Sequence, residues 1–146
     1  MKKGFTLIEL LVVISIIGIL ASLTFVSYSG AQKQTRDTQR RSDLSQYRNG
    51  LENYAASNNG LYPDHPSKYD VADFCGTGND LDEFISGCPT DPTADETYYY
   101  ISDPDDPGTG YILYADLETA DWWYVCSSGK SDTTDDDTEP TFATCP

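Results

Sequence analysis

Between Phe5 and Val26 the chain carries 22 residues that are nearly all apolar and include no proline. A helix of that length rises about 33 Å, enough for the hydrocarbon core of a bilayer. Ile, Leu and Val occur all the way round the helix, so such a segment suits lipid or a packed bundle of helices. One residue breaks the pattern: Glu9 sits four residues into the run. An ionised group in that setting costs several kcal/mol, so it should have a partner. Two simple fates fit the segment badly. A secretory signal peptide would use Lys2 and Lys3 as its basic start. Against it stand the length of the run, Glu9, and the lack of a good small-x-small cleavage site. A plain membrane anchor fits the length but leaves Glu9 unexplained.

The charge is distributed in three blocks. The whole chain has 9 Lys plus Arg against 24 Asp plus Glu, a formal net charge of −15. Residues 1–30 net +1, residues 31–62 net +2, and residues 63–146 net −18. This acidic excess argues against nucleic acid as a partner, because phosphate backbones are bound by Lys and Arg. It equally disfavours docking of the body on an anionic lipid surface. Apolar residues make up 38% of the chain, and many lie in the first 26 positions. The remainder therefore needs aromatics and cross-links to build a core. With one His and one Met, and no Ser/His/Asp, Cys/His or phosphate-loop arrangement, the chain is not expected to be an enzyme. His65, between Asp64 and Pro66, reads as a loop residue. The Gly-Thr-Gly pairs at Gly76–Gly78 and Gly108–Gly110 read as turns.

The residues ahead of the run change its meaning. Lys2-Lys3-Gly4 followed by Phe5-Thr6-Leu7-Ile8-Glu9 resembles the processing signal of type IV prepilins and type II secretion pseudopilins. The resemblance implies that prepilin peptidase, a membrane enzyme, cuts after Gly4. It implies that Phe5 is then N-methylated and that Glu9 is the assembly residue. The amine freed on Phe5 would be a cation. In a low-dielectric filament core it could lie beside Glu9 of a neighbouring subunit, selecting axial register more than adding stability. Pairing with Glu9 of its own subunit is the other option, since residues four apart share a helix face.

The helix can continue past the membrane, because no proline precedes Pro63. Leu44, Tyr47, Leu51, Tyr54 and Ala55 form a stripe of helical period, expected to be core for a C-terminal sheet. Ser42, Asp43, Arg48, Asn49 and Asn53 fall on the opposite face. Asn58-Asn59-Gly60 is a stop, with Pro63 just beyond. A helix from Phe5 to about Ser57 would measure roughly 80 Å. Lys33, Arg36, Arg40 and Arg41 follow the apolar run, and the positive-inside rule would place them in the cytoplasm. The resemblance implies the opposite orientation, and the cysteines favour it. These cations either meet acidic heads of neighbouring subunits or form a solvated helix face.

In the acidic body, Leu61-Tyr62-Pro63 and Asp91-Pro92 resemble the Tyr-Pro helix end and Asp-Pro turn of pilins and pseudopilins. A short helix at Asp80–Ser86 is expected, then strands at Thr97–Ser102, Gly110–Leu117 and Trp122–Ser127. Tyr111, Leu113, Ala115 and Leu117 alternate with Ile112, Tyr114 and Asp116, giving one face to the helix. The fold class is therefore α+β: a long N-terminal helix, its first half transmembrane, packed on a three-stranded antiparallel sheet. The expected divisions are a leader at 1–4, a transmembrane and assembly helix at 5–30, its amphipathic continuation at 31–60, and a disulfide-containing head at 61–146.

Cys75, Cys88, Cys126 and Cys145 allow three pairings. Cys75–Cys88 and Cys126–Cys145 close the short sequential loops, and the second would clamp the C-terminal tail, like the disulfide-bounded region of many pilins. Disulfides imply an oxidising compartment. A zinc site is disfavoured by wide spacings and the lack of a nearby His. The acid clusters Asp103/Asp105/Asp106 and Asp132/Asp135/Asp136/Asp137/Glu139 raise calcium, which major pseudopilins use in a loop. Neither cluster has EF-hand spacing, and solvated loops with no cofactor are the expectation. Trp122, Trp123 and Tyr98–Tyr100 are read as strand packing, with an adhesive surface as the alternative. The resemblance implies a single-pass precursor in the cytoplasmic membrane. It is then extracted by pilus assembly machinery into an extracellular or periplasmic helical homo-oligomer. A minor subunit whose head binds a surface, DNA or a secreted protein is the alternative.

Overall fold

The computed structural model describes residues 4–76, 78–134 and 137–145, apart from the side chains of residues 23–27. The chain divides into two compact units, Met1–Thr35 and Arg36–Pro146. A single helix, α1 (Leu7–Ser57), contributes residues to each. Its end follows from the Asn-Asn-Gly stop. Asn59 and Gly60 both take positive φ (59° and 82°), and the Gly60 N–H donates back to the Ala55 carbonyl at 2.8 Å. Asn tolerates this left-handed turn and Gly favours it.

In the second unit the sheet is an antiparallel meander. Its strands are β1 (Tyr69–Asp70), β2 (Tyr99–Ser102), β3 (Tyr111–Ala115), β4 (Trp123–Cys126) and β5 (Ser131–Thr133), paired in that order. The expected three strands are the central ones; the sheet has five. β1 and β5 were missed because they are two and three residues long. At that length no alternation can register. The expected helix at Asp80–Ser86 is instead a single turn, in which the N–H groups of Phe84 and Ile85 both reach the Leu81 carbonyl at 3.0 Å. Short 3-10 turns occupy Val71–Phe74 and Phe142–Thr144.

The stripe on α1 is core. Leu44, Tyr47 and Leu51 are fully buried and cluster with Tyr100, Tyr111, Leu113 and Ala115 from the near face of the sheet. The alternation along β3 was legible, but its far face is not solvated. Ile112 and Tyr114 pack there with Tyr124, Cys126, Tyr99, Ile101, Trp122 and Cys145. Phe142, in the tail held by Cys145, lies over Gly110 so closely that a Cβ there would come within 3.1 Å of its ring. Tyrosines stand where aliphatic residues are scarce, and their hydroxyls are paired. Tyr47 donates to the Pro89 carbonyl, Tyr100 to the Pro63 carbonyl and Tyr98 to Asp43, each at 2.7 Å. Such pairing lets a buried phenol contribute ring area without an unsatisfied hydroxyl.

Candidate functional site

The first unit carries the expected processing and assembly residues. Gly4, Phe5 and Glu9 are exposed, as is every described side chain through Ser22. Phe5 and Leu7 are each 82% exposed, so the apolar surface has no cover within its own unit. An uncovered apolar surface of this extent marks a lipid or protein contact. Among the described residues no helix is long and apolar enough to cross a membrane. The end of the expected span, Leu23 to Val26, lies outside the described side chains, and Met1, Lys2 and Lys3 lie outside the described residues.

Glu9 has a local role that the sequence reading missed. The Thr6 hydroxyl accepts from the Glu9 N–H at 3.3 Å, while Glu9 Oε2 accepts from the Thr6 N–H at 2.8 Å and its hydroxyl at 2.6 Å. This is a capping box, and its signature, Thr-x-x-Glu at the head of an apolar run, was readable at Thr6–Glu9. The box satisfies backbone N–H groups that a helix start leaves unpaired. It also holds the carboxylate at the helix N-terminus, bonded to Thr6, the residue that follows the expected amine at Phe5.

In the second unit the basic cluster is largely committed. Arg40 is buried. Its Nε and Nη2 donate to the two oxygens of Asp91 at 2.7 and 3.1 Å, its Nη1 to Asp37 at 3.2 Å, and its Nη2 also to Thr93 at 3.0 Å. Arg36 forms a forked pair with Glu118. Asp37 also accepts from the Glu118 and Thr119 N–H groups at 2.8 and 2.9 Å. Arg41 lies 4.6 Å over the Trp123 ring. So Arg36 and Arg40 join α1 to the loops, and Arg41 to strand β4, of their own unit, which neither expectation for the cluster anticipated. Burial opposes the charges on Asp37 and Arg40. Thr119 and Glu118 hydrogen bonds nevertheless keep the Asp37 pKa low, and Asp91 keeps the Arg40 pKa high. Asp43 is also buried, not on a solvated face, and burial raises its pKa against the bond from Tyr98. A signal existed: stepped back from Leu44 by four and then three residues, the buried stripe lands on Arg40 and Asp37.

The cysteines join in the sequential pairing, Cys75 to Cys88 and Cys126 to Cys145, with Cα separations of 6.0 and 5.7 Å. Asp103 is engaged within its own turn, accepting from the Asp105 and Asp106 N–H groups at 2.9 and 3.2 Å. Asp135 and Asp136 of the second acid cluster lie outside the described residues. Among the described residues no three acids, histidines or cysteines are grouped to hold a metal ion. His65 stacks on Tyr69 at 3.7 Å and meets Phe74 and Tyr100 edge-on. Trp123 packs on the core beside α1, and Trp122 on the other sheet face.

No curated protein and no solved structure matches this chain. One family does match, over the segment that carries the capping box and the uncovered apolar helix. Residues 1–25 match the prokaryotic N-terminal methylation motif, the processing signal of type IV prepilins and pseudopilins.

Proposed function

We propose that this protein is a structural subunit of an extracellular type IV pilus or pseudopilus filament, assembled through its N-terminal helix. The observation that carries the reading is the coincidence of the methylation motif with a helix whose apolar side chains, from Leu7 to Leu20, are exposed on every side. In the precursor, lipid covers that surface in the cytoplasmic membrane. After prepilin peptidase cuts behind Gly4, copies of the same helix cover it in a helical homo-oligomer. Assembly machinery moves the subunit from one solvent to the other. Apolar burial is similar in both and so favours neither, and specificity must come from the polar groups. Glu9, already bonded to Thr6 through Oε2, can accept a second donor, because a carboxylate has room for about four. That donor is the Phe5 amine of a neighbouring subunit. The reading invokes no cofactor and no catalytic step. The head is the surface that the filament displays.

Electron microscopy of filaments sheared from cells, compared between wild type and Glu9→Ala, tests this. The reading expects filaments built from the wild type and a severe loss with Glu9→Ala, with the variant retained in the membrane. Wild-type filaments that lack this chain, or Glu9→Ala filaments at normal abundance, would overturn it.

A further inference from the structure

The sheet face turned away from α1 holds a cation among aromatic rings. Lys68 Nζ lies 3.6 Å from the centre of the Tyr99 ring, 5.9 Å from Tyr114 and 5.8 Å from Trp122. The rings are fixed relative to one another. Tyr99 stands opposite Tyr114 in the β2–β3 register, and their centroids are 5.5 Å apart. Trp122 meets Tyr114 edge-on at 5.8 Å. A carboxylate completes the group: Glu139 accepts from the Tyr114 hydroxyl at 3.0 Å and pairs with Lys68. Three ring faces and one anion around a single positive centre form the arrangement that takes organic cations.

We propose that Tyr99, Tyr114, Trp122 and Glu139 form a binding site for a quaternary ammonium group, with Lys68 as its built-in competitor. One observation and two general properties of lysine support an exchangeable occupant. The Lys68 and Glu139 side chains are each 42% exposed, so solvent reaches the pair and weakens it. Lys68 ends a four-carbon stem, and holding that stem in one rotamer costs entropy that release regains. Its ammonium is also strongly hydrated. A quaternary ammonium has no N–H to leave unhydrated against a ring, so the same faces suit it better. The rings are held by the sheet and by the far-side core, so the site persists when Lys68 leaves.

The test is a titration of the full chain, in maltoside micelles, with choline chloride. The Trp122 indole N–H resonance is followed in wild type, Lys68→Ala and Lys68→Gln. Both variants should shift saturably, with an apparent Kd about tenfold lower than wild type. That ratio is expected of a competitor that holds the site about nine-tenths of the time. Tetramethylammonium should act like choline, and ammonium chloride at equal ionic strength should not. Tyr99→Leu on the Lys68→Ala background should lose the response. A shift with free choline assigns a soluble donor; a shift only with phosphatidylcholine vesicles assigns a lipid headgroup. Absence of a saturable shift in both variants from either source would overturn the site. So would an equal effect of ammonium chloride, or unfolding of both variants, which would make Lys68 an obligatory part of the fold.

Discussion

Replacing Arg40 by Met should destabilise the head by about 3–5 kcal/mol, the cost of breaking a buried ion pair by removing one partner. The magnitude follows from what is left behind. The Arg40 and Asp91 side chains are each only 2% exposed, so water cannot replace the lost guanidinium. Asp91 would keep the Thr93 N–H at 2.7 Å but lose both charged donors. Asp37 would lose less, since it retains the Glu118 and Thr119 N–H groups. Arg40→Lys keeps the charge but cannot span both Asp91 oxygens, so about 1.5–3 kcal/mol is expected there. Urea unfolding of the full chain in a non-ionic detergent, read by the fluorescence of Trp122 and Trp123, measures both. With a slope of about 1–3 kcal/mol per molar, the Arg40→Met midpoint should fall by at least about 1 M. Asp91→Asn in the same chain should recover part of the loss, because it removes the stranded charge, giving a non-additive cycle. An Arg40→Met protein within about 1 kcal/mol of wild type, or a cycle that adds, would refute the claim that this pair joins the helix to the loops.

Gly50→Ala should lower the melting temperature, although Ala ordinarily gains about 1 kcal/mol over Gly inside a helix. A Cβ at position 50 would lie 2.5 Å from Cγ1 and Cδ1 of Ile85, and overpacking of that kind costs about 1–3 kcal/mol; scanning calorimetry reads the sign, and Ile85→Ala should relieve it. Asp43→Asn should stabilise the head at pH 7 and make little difference near pH 3. Burial raises the folded pKa of Asp43, so folding keeps its proton longer than the unfolded chain does. Stability from this group therefore falls as pH rises from the unfolded value through the folded one, a slope that the Asn variant should lack. Melting curves of the two proteins across that range would show a constant gap if the reasoning is wrong.

The parts written in repeating patterns were legible in the sequence. The stripe Leu44–Tyr47–Leu51 and the three central strands follow periods that burial enforces, and the Asn58–Gly60 stop is a local turn signal. The methylation motif over residues 1–25 is legible because it is local. What escaped had no period of its own. β1 and β5 are held by their neighbours, Tyr69 opposite Tyr100 and Ser131 opposite Val125, and only the folded sheet creates that pairing. Arg36 and Arg40 are expected at neighbouring heads or in solvent, and Asp43 opposite the stripe, since charged side chains are seldom buried unless paired. The partners lie far away in sequence, at Asp91, Tyr98 and Glu118. The carboxylate of Glu9 is expected to meet the Phe5 amine of a neighbour or of its own subunit, while its observed partner lies three residues away at Thr6. Lys68 gave no signal at all, because Tyr99, Trp122 and Glu139 converge on it only through the sheet and the clamped tail.

The most direct test of the central claim is mass spectrometry of this chain recovered from purified filaments. The account predicts a polypeptide that begins at Phe5, carries one methyl group on its terminal amine, and retains the whole apolar helix. A product that begins at Met1, or one that begins beyond Val26, would contradict it.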